Sequence, residues 1–118
     1  MTTTSEDTAD ALFHALSDRT RRDIMRRVLA GECSVSALAA KYDMSFAAVQ
    51  KHVAVLERAG LLHKRRSGRE QLASGDMVTV RTVASLLDEL EQVWRGRIAR
   101  IDDLIASEHD PTPESESE

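Results

Sequence analysis

SVSALAAKYDMSFAAVQKHVAVLERAG, residues 34–60, is the stretch that decides the fold. It reads as two short helices joined by a tight turn. Ser34 predicts a helix N-cap, its hydroxyl accepting a backbone N–H of the first turn. Leu38, Ala39 and Tyr42 then recur at helical spacing. Asp43-Met44 breaks the pattern, and Ser45 caps a second helix in which Val49, Val53 and Leu56 form one apolar stripe. Gly60 stops that helix, because glycine takes a positive φ at no steric cost. The opposite face carries Phe46, Ala47, Gln50, Lys51 and Ala54. A buried stripe behind, with small, amide and basic groups in front, suits a helix that enters the DNA major groove.

Downstream, LLHKRRSGREQLASGDM (residues 61–77) alternates about a Ser67-Gly68 turn and predicts a β-hairpin with a basic tip. A two-stranded ribbon directly after a recognition helix is a wing. Its Lys64, Arg65, Arg66 and Arg69 suit phosphate contact or entry into the minor groove. From about Asp76 to Ser107, apolar residues recur every three to four positions, which predicts one long helix. At about 1.5 Å per residue it spans roughly 45 Å, more than a domain of this size covers. A second copy of the chain is the economical partner for its stripe, and a two-fold dimer matches the symmetry of palindromic sites.

Upstream, Ala9, Leu12, Phe13 and Leu16 mark a first amphipathic helix from about Thr8. Asp18 caps the next, RTRRDIMRRVLAG, whose Ile24, Val28 and Leu29 should face inward. Arg19, Arg21 and Arg22 lie in its first turn, where the helix dipole disfavours cations. Phosphates nearby would explain them, and so would plain exposure.

At 118 residues the chain suits one domain, and 3% aromatic content argues for an aliphatic, helix-built core. A lone cysteine, Cys33, excludes an internal disulfide framework, and no apolar run approaches a membrane span; both point to a cytoplasmic protein. The net charge of −4 conceals a segregation. Between Arg19 and Arg69 twelve Lys/Arg face four Asp/Glu, a balance of +8, while the rest of the chain carries −12. The basic segment coincides with the helix-turn-helix, which favours nucleic acid as the partner.

ALSDRTRRDIM, SVSALAAKYDMSFAAVQKHVAVLERAGLL and KRRSGRE together resemble the ArsR family of winged-helix repressors over residues 9 to 107. The resemblance implies a mainly α fold with a small β-hairpin: four helices, the hairpin, then a terminal helix, a dimeric winged helix-turn-helix. The nearest branch carries "DPTRR" and "SxxAVSKHLxVLExAGL". Here Arg19 replaces the proline, Gln50 the serine and Val53 the leucine, and Asp43 stands where glycine is common. The changes at Arg19 and Gln50 touch the DNA face, so the site sequence of relatives does not carry over. His52 matches a recognition-helix position.

The family's metal motif is a pair of cysteines around a valine; the matching residues are Ser34 and Ser36, with Cys33 one place early. Its other site uses Asp and His on the last helix, where residues 79–107 hold no histidine. A thiolate site needs several converging ligands, so no metal and no cofactor are expected.

The expected organisation is a disordered N-terminus (1–7), a winged helix-turn-helix DNA-binding and dimerisation domain (8–107) and a disordered acidic tail (108–118). The candidate DNA-binding residues are Arg21, Ser45, Phe46, Ala47, Gln50, Lys51, His52, Lys64, Arg65, Arg66 and Arg69. The candidate dimerisation residues are Leu12, Phe13, Leu86, Leu90, Val93, Trp94, Ile98 and Ile101. The function expected is a sequence-specific repressor binding a palindromic operator as a homodimer, and the resemblance implies that it regulates its own operon. No catalytic constellation suggests an enzyme. Two alternatives remain: a winged-helix module that binds protein, and a redox-responsive repressor using Cys33, whose place at a helix start could lower its thiol pKa.

Overall fold

The computed structural model describes residues 5–109. The elements run α1 (Ser5–Ala15), α2 (Arg19–Ala30), β1 (Cys33–Ser34), α3 (Val35–Ala39), α4 (Phe46–Arg58), β2 (Leu62–Ser67), β3 (Glu70–Gly75) and α5 (Met77–His109). The expected disordered ends fall in part on residues 1–4 and 110–118, outside the described residues; residues 108 and 109, expected in the tail, still belong to α5. Residues 5–7, expected to be frayed, already belong to α1, whose first turn carries Glu6 and Asp7. Carboxylates there complement the positive end of the helix dipole.

The capping residues stop and start the helices as their chemistry dictates. Asp18 Oδ2 accepts the Arg21 N–H at 3.0 Å and opens α2. Ser34 Oγ accepts the Ala37 N–H at 3.0 Å and Ser45 Oγ the Ala48 N–H at 3.1 Å, opening α3 and α4. Each cap satisfies a donor that the helix itself leaves orphaned. Gly60 closes α4 at φ 81°.

The sheet holds three strands in the order β1-β3-β2, both pairs antiparallel. β2 and β3 form the expected hairpin, from Leu62↔Gly75 at its base to Ser67↔Glu70 at its tip. Gly68, at φ 62°, makes the turn. β1 is a strand that the sequence pattern does not predict. The extended backbone that leads into the Ser34 cap pairs Cys33 with Ala73 and Ser34 with Leu72, which covers the open edge of the hairpin.

The chain divides into two compact units, one through Ala84 and one from Ser85. The first holds an aliphatic core of Leu12, Ala15, Ile24, Met25, Val28, Val35, Leu38, Val49, Val53, Leu56, Leu61, Leu62, Ala73 and Val83. On α2 the inward residue is Met25 rather than the expected Leu29, which stays 39% exposed. Leu29 lies against β3: a Cβ added to Gly75 would come within 2.5 Å of its Cδ2. Glycine at that position is what lets strand and helix approach. Leu12 also departs from expectation. At 1% exposure it is spent in the chain's own core and is not available to a second copy, whereas Phe13 beside it is exposed.

The second unit is the remainder of α5. Leu87, Leu90, Val93, Trp94, Ile98, Ile101, Leu104 and Ile105 are all exposed along it, and Leu86 is half-buried. No helix among the described residues is long and apolar enough to cross a membrane.

Candidate nucleic-acid interface

The recognition helix α4 buries Val49, Val53 and Leu56, so helical geometry turns Ala47, Gln50 and Lys51 outward, and all three are exposed. Ser45 and Phe46 at its start are exposed too, Phe46 at 48% despite its apolar ring. One flank of α4 faces the hairpin. There a cleft of about 170 Å³ is lined by Phe46, Gln50 and Val53 from the helix and by Lys64, Arg69 and Gln71 from the wing.

The other flank meets the junction of α1 and α2, and here the candidate residues Arg21 and His52 come together. Arg21 Nε donates to the Ala15 carbonyl at 2.8 Å and Nη2 to the His14 carbonyl at 3.1 Å. Its Nη1 donates to His52 Nδ1 at 3.2 Å, with Asp18 Oδ2 3.8 Å from the same ring nitrogen. Arg21 thus caps the carbonyl end of α1 and ties it to the recognition helix. Three of its five N–H groups serve the fold. The backbone N–H of Arg21 is the main reason the Asp18 carboxyl sits below its usual pKa range.

On the wing, alternation along β2 sends neighbouring side chains to opposite faces. Lys64 shares a face with the buried Leu62 and pairs with Glu57 of α4, Nζ to Oε1, at 3.3 Å. Arg65, on the other face, forms a two-pronged bond to Glu32: Nε to Oε2 at 2.9 Å and Nη2 to Oε1 at 2.8 Å. That fork holds the Glu32 carboxyl low and raises Arg65. His63, on the Arg65 face, donates from Nε2 to Asp76 Oδ2 at 2.6 Å. Arg66, Arg69 and Lys51 make no ion pair among the described residues.

Glu32, Glu57 and Asp76 were absent from the expected site, and sequence offers no signal for them. Each lies 7 to 33 residues from its partner.

Cys33 is half-buried in β1, one residue before the Ser34 cap of α3. Burial pushes its thiol pKa up, partly offset by Arg27, the opposite of what a reactive thiolate needs. Ser34, at a position matched to a family metal ligand, spends its hydroxyl on the α3 cap. Among the described residues no three His, Cys, Asp or Glu groups gather closely enough to hold a metal ion.

A capped helix-turn-helix followed by a basic hairpin defines a winged helix-turn-helix of the DNA-binding class. A family model described as a helix-turn-helix domain matches residues 16–65. The HTH-type transcriptional regulator Rv2034 of Mycobacterium tuberculosis is 33% identical over 103 residues, which cover 87% of this chain and 94% of that one. Among solved structures, an ArsR-like transcriptional regulator from Rhodococcus sp. RHA1 superposes with a TM-score of 0.74 at 28% identity, over 85% of this chain and 94% of its own. The ArsR family transcriptional regulator RHA00566 gives 0.73 at 28%, over 80% and 97%. This chain belongs to the ArsR family and is a DNA-binding transcriptional regulator.

Proposed function

We propose that the protein is a cytoplasmic, homodimeric repressor that reads a palindromic operator with α4, acts on its own operon, and needs neither a metal nor a cofactor. The observation that carries this reading is the outward face of α4, where Gln50 and Lys51 stand exposed beside a wing whose Arg66 and Arg69 are unpaired among the described residues. Gln pairs bidentately with adenine and Lys donates to guanine acceptors, so both suit base edges. Phe46 and Ala47 add apolar contact to a thymine methyl, and Ser45 fixes the start of the helix. Arg66 and Arg69 supply phosphate neutralisation, which carries affinity without sequence information, while Lys64 is held by Glu57. Arg21 and His52 act from the flank of the helix.

The exposed stripe of Leu90, Val93, Trp94, Ile98 and Ile101 along α5, with the half-buried Leu86 at its start, supports dimerisation, and Phe13 of α1 is exposed as well. Contiguous apolar surface on that scale calls for a partner. A +8 segment lying on the helix-turn-helix is more than a protein-binding module needs. The raised thiol of Cys33 gives no support to redox control. The operator is found by sequencing the genomic fragments that the purified protein retains. Enrichment of an inverted repeat upstream of its own gene, bound equally well with and without added zinc, is the expected result. Retention of fragments with no shared sequence contradicts it.

A further inference from the structure

Two cations of the wing are committed before any DNA arrives. Successive residues of β2 alternate between faces, and Lys64 identifies the face that looks onto α4 through its bond to Glu57. Arg65 therefore points to the opposite face, away from the recognition helix. There its guanidinium meets Glu32 with both prongs, at 2.8 and 2.9 Å. Glu32 sits in the turn between α2 and β1, across the sheet from β2, since the strand order is β1-β3-β2. The fork spans the width of the sheet. Two residues before Arg65, on the same face, His63 bonds Asp76, whose other oxygen accepts the Thr79 N–H and caps α5. The rear face of the hairpin is thus pinned at two places, and the front face carries the free cations.

We infer that Glu32 is a positioning residue for DNA binding, and that Arg65 is its strut rather than a phosphate contact. The pair holds the wing at the angle from which Arg66 and Arg69 reach the backbone. This rests on the wing's role in the proposed function. A bidentate Arg–carboxylate pair fixes direction as well as distance, which a lysine or a single-pronged bond does not. The pair joins residues 33 apart in the chain, so it orients one element against another rather than stiffening a local turn.

The test measures the affinity of Glu32→Gln, Arg65→Ala, their combination and Arg66→Ala for the operator across a salt series. The magnitude expected for an exposed pair is a two- to fivefold loss of affinity, roughly. Glu32→Gln and Arg65→Ala should each show that loss with the salt slope unchanged, because no phosphate contact disappears. The combination should be no worse than either alone. Exchanging the charges, Glu32→Arg with Arg65→Glu, should restore affinity to within about twofold of the parent. Arg66→Ala should lower the slope by about one unit. The inference is overturned if Arg65→Ala lowers the slope by a unit while Glu32→Gln leaves affinity unchanged or raises it; Arg65 would then be a phosphate ligand in its own right. If Arg66→Ala also leaves the slope untouched, the wing does not meet DNA, and the reading beneath the inference falls with it.

Discussion

Tyr42 is the chain's one tyrosine, so its titration reports a single environment. Its hydroxyl donates to Asp23 Oδ2 at 2.6 Å, and the Arg27 guanidinium lies 5.7 Å from the ring centroid. Burial is the main cause that pushes the phenol pKa up to about 12, with the hydrogen bond to Asp23 adding to it and Arg27 working against it. The folded state thus prefers the protonated phenol. The preference contributes stability in full below the unfolded pKa of about 10 and loses it as pH rises towards 12. Absorbance at the tyrosinate band should stay low at about pH 10.5 while the fold persists, and Asp23→Asn should bring its onset down. Half-ionisation near pH 10 in folded protein would show that Tyr42 does not hold this contact.

At the scale of elements, Asp76 joins the base of the wing to the start of α5. Its bond to His63 is the main cause that holds its carboxyl below the usual range, and the Thr79 N–H adds to it. Asp18, Asp23 and Glu32 are lowered as well, each by a bond to a neighbour. A carboxyl with a depressed folded pKa stabilises the protein above its unfolded value, about 4, and that contribution disappears as pH falls through the folded value. The melting temperature should therefore drop as pH is taken below about 4. Asp76→Asn should start lower and fall less steeply over the same range; curves parallel to the parent would contradict the role given to this cap.

The helix-turn-helix was legible in sequence because its determinants are local. Asp18, Ser34 and Ser45 cap within three residues of themselves, Gly60 needs only its own φ, and Val49, Val53 and Leu56 follow one helical period. What escaped depends on partners distant in the chain. β1 is two residues long and exists because β3 lies alongside it. Leu29 stands against the backbone of Gly75, a partner 46 residues on in the chain, while Met25 enters the core in its place. Arg21 and Arg65 read as free cations until folding sets the α1 carbonyls and Glu32 before them. Leu12 satisfied the pattern of an interface as well as that of a core, and periodicity does not distinguish the two.

For the whole molecule, the proposed homodimer turns on the part of α5 beyond Ser85, where Leu90 and Trp94 are 67% and 55% exposed. Replacing both, Leu90→Glu with Trp94→Glu, should give a monomer by analytical ultracentrifugation and abolish operator binding, because a single half-site supplies too few contacts. A folded double variant that remains a dimer would place the interface elsewhere. The central claim is that α4 reads sequence, and Gln50 tests it most directly. Fluorescence anisotropy compares Gln50→Ala with the parent protein on the operator and on a scrambled duplex of equal length. Loss of about 1–3 kcal/mol on the operator, with much less on the scrambled duplex, is the result expected of a base-reading residue. Equal weakening on both duplexes would contradict it.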